Sequence, residues 1–212
     1  ERHRRRLARA QESLFKEPPT AAESVLLHQL FLAHTATTPT PAPTPTPVPM
    51  QHTTLTTTRI CQPQERNIHD LIFGGYLMRE AFELGYACGQ VFSRAELHFL
   101  AVDELAFKHP VPIGALLQLT AQVVYTEDQF EDGAATRLPT AQLIHVEVVA
   151  DVVDVTTSIR KTTNTFHFTF KFEQPPKFTV RPATYVEAMR YLEGKRRIST
   201  IPLDPQRQIY RF

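Results

Sequence analysis

Polar and apolar positions alternate most cleanly near the C-terminal third of the chain. In "NTFHFTFKF", Phe166, Phe168, Phe170 and Phe172 fall on one side, and His167, Thr169 and Lys171 on the other. Period-two alternation predicts a half-buried strand, and this accounts for the aromatic stripe without any cofactor. Four other stretches read as strands: "TTLTTTRICQ", "ELHFLAVDELAF", "LLQLTAQVVYT" and "QLIHVEVVADVVDV". They are rich in β-branched and aromatic residues and are bounded by polar connections such as "EDGAATRLPT" and "TTSIRKTTN".

Helical spacing governs the rest. In "YLMREAFELGYACGQVF", Leu77, Ala81, Leu84 and Cys88 recur along one face, with Ala81, Gly85, Ala87 and Gly89 small. Glycine inside a helix costs up to about 1 kcal/mol relative to alanine, so close packing against other backbone is expected to offset it. Near the N-terminus, Thr20 and Glu23 have capping-box spacing, and Val25, Leu26, Leu30 and Leu32 supply apolar faces. Near the C-terminus, "RPATYVEAMRYLEGKRR" has the same box at Thr184 and Glu187, a stripe of Tyr185, Met189 and Leu192, and Gly194 as its expected stop. A helix this short is marginal alone, so it is expected to dock.

One strand, one long helix and then four strands predict an α+β fold, with an antiparallel sheet wrapped around one long central helix. Four parts follow: a helical segment over 1–34, a Thr/Pro-rich linker over 35–50, a globular unit over 51–174, and a C-terminal helix and tail over 175–212. The linker, "TATTPTPAPTPTPVPM", holds much of the chain's 17 prolines and favours an extended path.

Composition narrows the picture modestly. Hydrophobic content of 42% suffices for a core, and a net charge of +1 selects no partner class. The basic stretch Arg2–Arg6 lacks interleaved aromatics, so it reads as a solvated helix face and not as a nucleic-acid site. No apolar run reaches the roughly 18 residues of a membrane span. The chain opens on Glu1, shows no leader, and reads as a fragment of a longer protein. Cys61 and Cys88 are too far apart for a metal site, so no metal is expected; buried free thiols are the reading.

Chemistry concentrates in "ERNIHDLIFGGYLM". Gly74 and Gly75 stand where this polar loop gives way to the long helix. The first N–H groups of a helix lack internal partners and carry the positive end of its dipole. Glycine lets a ligand approach them closely. Such a corner suits the oxyanion of an attacked thioester or ester; a tight turn with close packing is the other reading of the same pair. Asn67 can orient a water through its carbonyl oxygen, whereas the base must come from Asp, Glu or His. His69 and Asp70 are near in sequence, and Glu80 and Glu83 ride on the helix. No G-x-S-x-G elbow exists, which favours attack by water over a covalent acyl-enzyme.

The blocks "RICQPQERNIHDLIFGGYLMREAFELGYACG", "AVDELAFKHPVPIGALLQLTAQVVYT" and "RPATYVEAMRYLEGKRR" resemble the double hotdog acyl-CoA thioesterase family, nearest to its mitochondrial acyl-CoA thioesterase 9 type and to the second hotdog there. The resemblance covers residues 50–197 well and 11–34 weakly. It implies hydrolysis of acyl-CoA in a mitochondrion to free acid and CoA, with no added cofactor. It also implies a site at the seam between two hotdogs, in one chain or in an oligomer. Carried over residue by residue, it gives Asn67 the asparagine position, Gly75 the amide that meets the thioester carbonyl, and Gly74 the supporting turn. The helix acid of other hotdogs is replaced here by Phe82. Glu83 is one position away, roughly 100° around the helix. The acid is therefore expected from a partner hotdog. Lys108, Arg137, Arg160 and Lys161 are candidates for the CoA phosphates, and "HFLAV" with Phe73 and Tyr76 for an acyl channel. Two other readings remain: a non-catalytic hotdog serving as a structural or CoA-sensing subunit, and an enoyl-CoA hydratase. The second needs an Asp where Gln64 stands.

Overall fold

The computed structural model describes residues 17–35, 45–103, 108–127, 142–172 and 177–199. Arg2–Arg6, Arg137 and most of the Thr/Pro linker lie outside them.

Helix α1 spans Ala21–Thr35, α2 Gly74–Ser93 and α3 Tyr185–Ser199. The strands are β1 (Thr46–Pro49), β2 (Leu55–Ile60), β3 (His98–Val102), β4 (Leu116–Thr126), β5 (Gln142–Val153), β6 (Arg160–Phe172) and β7 (Phe178–Arg181). Five of them form one antiparallel sheet in the order β2-β4-β5-β6-β3. This is the expected α+β arrangement, with α2 packed along the inner face.

The small residues of α2 do what their spacing predicts. A side-chain carbon at Gly85 would lie 3.1 Å from the Phe168 ring and 3.2 Å from Val148. At Gly89 it would lie 2.6 Å from Leu97 and 3.0 Å from Ile144. Only hydrogen fits there, so the helix backbone sits directly on β5 and β6. Leu77, Ala81 and Cys88 complete the buried stripe, against Phe166, Phe168 and Phe170. Burial of each such phenylalanine is worth roughly 1.5–3 kcal/mol, so this stripe anchors the unit.

The structure departs from the sequence-based expectations in four places. First, β6 keeps the expected alternation, with its four phenylalanines buried and His167 and Lys171 half-buried, but its outward side is less open than the sequence suggests. Helix α3 packs on the outer face of the sheet over β4 and β5, and His145 and Thr169 are buried on that face. Second, Gly194 does not stop α3, which continues to Ser199. A carbon at 194 would lie 2.8 Å from Tyr125 Cβ, so this glycine marks close docking. Third, the buried positions of α3 are Ala188, Tyr191, Leu192, Gly194 and Ile198, whereas Tyr185 is exposed. Fourth, the end of the expected linker is a strand: β1 pairs in parallel with β7, Val48 opposite Val180. Pro47 and Pro49 donate no ladder hydrogen bond, which β1 tolerates at the edge of a two-stranded sheet.

Both capping signals form. Thr20 N–H donates to Glu23 Oε2 (2.8 Å) and Glu23 N–H to Thr20 Oγ1 (3.3 Å). At α3, Glu187 N–H donates to Thr184 Oγ1 (3.2 Å), while the Glu187 carboxylate reaches back to Ala183 N–H (2.7 Å). α1 docks on α3 through Leu27, Ala188 and Leu192, with Leu26 and Leu30 alongside. Val25 and Leu32 face outward instead. A bidentate pair closes this contact: Arg196 donates to both Glu23 oxygens at 2.7 Å.

Candidate active site

The loop before α2 is folded back by its own backbone. Arg66 bridges Ile72, and Leu71 bridges Pro112. Phe73 N–H donates to the Glu65 carbonyl at 2.7 Å, and Ile72 N–H to the Val111 carbonyl at 2.9 Å. Glu65 and Phe73 are thereby in contact, and Asn67 is carried toward the start of the helix. Within this loop the Asn67 side-chain oxygen accepts His69 N–H (2.8 Å) and Leu71 N–H (3.2 Å). That corrects its expected role. Both acceptor sites of the carbonyl oxygen are used, so what Asn67 has left to offer is its NH2 group, a pair of donors.

Helix α2 begins at Gly74, as the glycine pair predicts. The first internal helix bonds come from Tyr76 and Leu77 N–H to the Phe73 carbonyl. The Gly74 and Gly75 amides carry no partner among the described residues and stand at the positive end of the dipole. The Phe73 ring lies against Gly75; a carbon there would come within 2.4 Å of the ring. Glycine is thus required for this contact. The ring is 59% exposed. Ile68, 93% exposed, and Met78, 39% exposed, are further large apolar residues on the loop and first turns of the helix.

The candidate bases are not gathered on this corner. The His69 side chain is exposed on the loop. Asp70 pairs with Arg66 (3.6 Å) and adopts φ 56°, the left-handed region that tight loops use. Glu83 is exposed and pairs with Arg79 (3.6 Å). It lies eight residues along α2 from Gly75, roughly 12 Å of helix rise. Glu80 is buried, held by Arg59 (3.1 Å) and Arg79 (3.3 Å). Sequence reasoning left those two arginines unnoticed; Arg59 on a strand and Glu80 on a helix give no shared period. Burial, then the nearby Glu80 charge, push the Tyr76 phenol and the Cys61 thiol up from their ordinary values. Phe82 lies in an aromatic cluster with Phe99 (5.3 Å between ring centres), Phe168 (5.6 Å) and Phe170 (6.0 Å). Here an aromatic ring stands where the family acid was expected.

Three of the four basic candidates are described, and all are exposed. Lys108 N–H donates to the Thr163 carbonyl at 3.0 Å, which sets Lys108 beside the start of β6 and near Arg160 and Lys161. The chain then runs on to Val111 and Pro112, the residues that hold the Asn67 loop. One segment thus links the basic end of the sheet to the glycine corner. No group of three metal-ligating side chains comes together among the described residues, and no described helix is long and apolar enough to cross a membrane.

This fold, one long helix inside an antiparallel sheet, defines a hotdog protein. Among solved structures, it is similar to an acyl-CoA hydrolase from Staphylococcus aureus in complex with butyryl coenzyme A, coenzyme A and coenzyme A disulfide. The TM-score is 0.60 at 24% identity, over 72% of this chain and 91% of that one. In sequence, the chain is 37% identical over 201 residues to acyl-coenzyme A thioesterase 9, mitochondrial, of Bos taurus. It is 36% identical to the protein of the same name in Homo sapiens. Each match covers 93% of this chain and 43% of the relative, so the chain spans less than half the length of these relatives. No family model matches. The chain belongs to the hotdog-fold acyl-CoA thioesterase family.

Proposed function

We propose that this chain is one half-site of an acyl-CoA thioesterase. A water attacks the thioester carbonyl carbon, the carbon–sulfur bond breaks, and the free acid leaves with CoA as its thiol. The attacking water loses its proton to a carboxylate, and the departing thiolate takes one up. The Gly75 amide, with Gly74 shaping the turn, receives the carbonyl oxygen as it becomes an oxyanion. The Asn67 NH2 group donates to the water or to the same oxygen. Lys108, Arg160 and Lys161 meet the phosphates of CoA at the basic end of the sheet. The mitochondrial names of its relatives support the same compartment here.

One observation carries the half-site reading: a corner of unpartnered donors, open to solvent, beside carboxylates already committed to arginines. Asp70, Glu80 and Glu83 each hold an arginine. Each of these carboxylates is already turned toward a guanidinium. The base is therefore assigned to a second hotdog laid against this face, in the same longer chain or in another copy.

The test is to assay the chain alone and the chain joined to a hotdog bearing an acid on its central helix. The joined form should hydrolyse acyl-CoA, and Asn67→Asp should cut its turnover by about 10²–10³-fold, the usual loss on removing such a donor. His69→Ala should leave turnover little changed. A joined form that binds acyl-CoA and never hydrolyses it would instead identify a CoA-sensing subunit.

A further inference from the structure

The other end of α2 opens on a cavity of about 200 Å³ that the reaction above does not use. Its lining residues on and just after the helix, Cys88 to Arg94, stand roughly 20–30 Å along the axis from Gly74. Its interior is apolar, lined by Val48, Phe92 and Phe178 together with Cys88. The Cys88 thiol donates to the Thr53 carbonyl (3.2 Å), and burial pushes its pKa up to about 12. It is therefore neutral at any physiological pH and behaves as part of the apolar lining.

The rim has the opposite character. Arg94, His52, Thr53 and Thr54 supply its polar groups, and no acidic residue lines the cavity among the described residues. The Arg94 guanidinium lies over the Phe178 ring, 4.9 Å from its centre. It makes no ion pair with a carboxylate among the described residues. Thr54 Oγ1 accepts from Gln122 Nε2 at 3.0 Å, so its own O–H is left to donate. The negative end of the α2 dipole points toward this corner, and a cation there offsets it. A bound anion must therefore depend on the Arg94 side chain and gains nothing from the helix backbone.

We infer that this cavity binds a short-chain monocarboxylate, with its hydrocarbon tail against Phe92 and Phe178 and its carboxylate on Arg94. Charge selects the class: cation and donors at the mouth, apolar wall behind. Size selects the length. Sites for drug-sized ligands run to roughly 300–1,000 Å³, and this one is smaller, so a whole CoA ester does not fit within it. Arginine suits the planar carboxylate because it can present two parallel N–H donors, and its stacking on Phe178 fixes the fork in advance. A short acyl carboxylate is also the acid half of the products proposed above. A site for it far from Asn67 would let the protein register its own product. Binding is read without turnover, so its outcome stands whichever way the activity test falls.

The experiment titrates the full chain with sodium hexanoate by calorimetry, with 1-hexanol and hexylamine as controls of the same tail. Hexanoate should bind, and hexanol and hexylamine should bind at least about tenfold more weakly, the loss expected for one charge-assisted contact. Arg94→Gln keeps a flat group over Phe178 and should lose the same factor; Arg94→Lys should recover part of it. Asn67→Ala should bind hexanoate as the parent does, which separates this cavity from the glycine corner. Absence of hexanoate binding overturns the proposal. So does equal binding of hexanol, an unaltered affinity in Arg94→Gln, or loss of binding in Asn67→Ala.

Discussion

Asn67 lets folding and chemistry be separated at a single residue. Its oxygen closes the loop by accepting two backbone N–H groups, while its nitrogen takes no part in the loop's hydrogen bonds. Aspartate keeps the acceptors and lacks the donors; alanine lacks both. Asn67→Asp is therefore expected to melt close to the parent, yet lose turnover once a partner hotdog is present. Asn67→Ala should lose turnover and also destabilise the chain by about 1 kcal/mol, since two amides lose their acceptor. Paired thermal melts and single-turnover assays decide this. If aspartate retains full activity, the NH2 group has no catalytic part. The sequence placed Asn67 and the glycine pair together, because a polar loop running into a glycine-started helix is a local feature. It did not show which end of the amide would be free. That depends on a turn five residues long, whose hydrogen bonds leave no periodic trace.

At the scale of elements, the glycines of α2 carry the packing. Gly89→Ala would press a carbon to 2.6 Å from Leu97 and 3.0 Å from Ile144, whereas Gly85→Ala would meet its neighbours at 3.1 and 3.2 Å. Alanine gains up to about 1 kcal/mol in helix propensity at either site. Overpacking costs about 1–3 kcal/mol, more where the neighbours cannot yield. The gain and the strain should nearly cancel in Gly85→Ala, and strain should win in Gly89→Ala. Urea unfolding of both variants checks the order, and a Gly89→Ala chain at least as stable as Gly85→Ala would contradict it. Helix α2, the five main strands and the docking of α3 were all legible, because their periods of 3.6 and 2 are set by burial on one face. Three features escaped for a common reason. β1 hides in a proline-rich stretch because its partner, β7, is more than 120 residues away. Gly194 resembled a stop signal because local sequence cannot distinguish a C-cap from a contact with Tyr125. The stripe of α3 was right at Leu192 and Met189 and wrong at Tyr185, because its burial is divided between the sheet on one side and α1 on the other.

Seen whole, the molecule is a sheet covered on both faces, and the two layers on its outer face, α3 and then α1, respond to acid differently. Under α3, His145 and His167 stack 5.4 Å apart, with His145 Nδ1 against Thr169 Oγ1 at 2.9 Å. Burial, followed by the positive field of Arg197, His145, Arg190 and Lys108, holds the His167 pKa well below its ordinary 6.5. Facing them, Glu147 pairs with Arg190 (2.6 Å), and Asp103 and Glu193 pair with Arg197 (2.8 and 2.7 Å), so little negative charge is left over to welcome an imidazolium. The unfolded chain takes up the His167 proton near pH 6.5 and the folded chain only far lower. Below pH 6.5 the unfolded state therefore binds more protons, and stability falls, by at most about 1.4 kcal/mol per pH unit for this one group. The clasp between α1 and α3 holds to lower pH. Its hydrogen bonds from Arg196 lower the Glu23 pKa from 4.5 to about 2. Its contribution is complete above pH 4.5 and is lost as pH falls toward 2. Acid should thus weaken the inner docking of α3 first and the α1 clasp second. Chemical unfolding across pH 7.5 to 3 should show His167→Gln flattening the profile between about pH 6.5 and 5, with Glu23→Gln lowering stability evenly above about pH 4.5 and flattening the fall below it. Identical profiles for parent and His167→Gln would mean that the buried imidazole is not the group that acid reaches first.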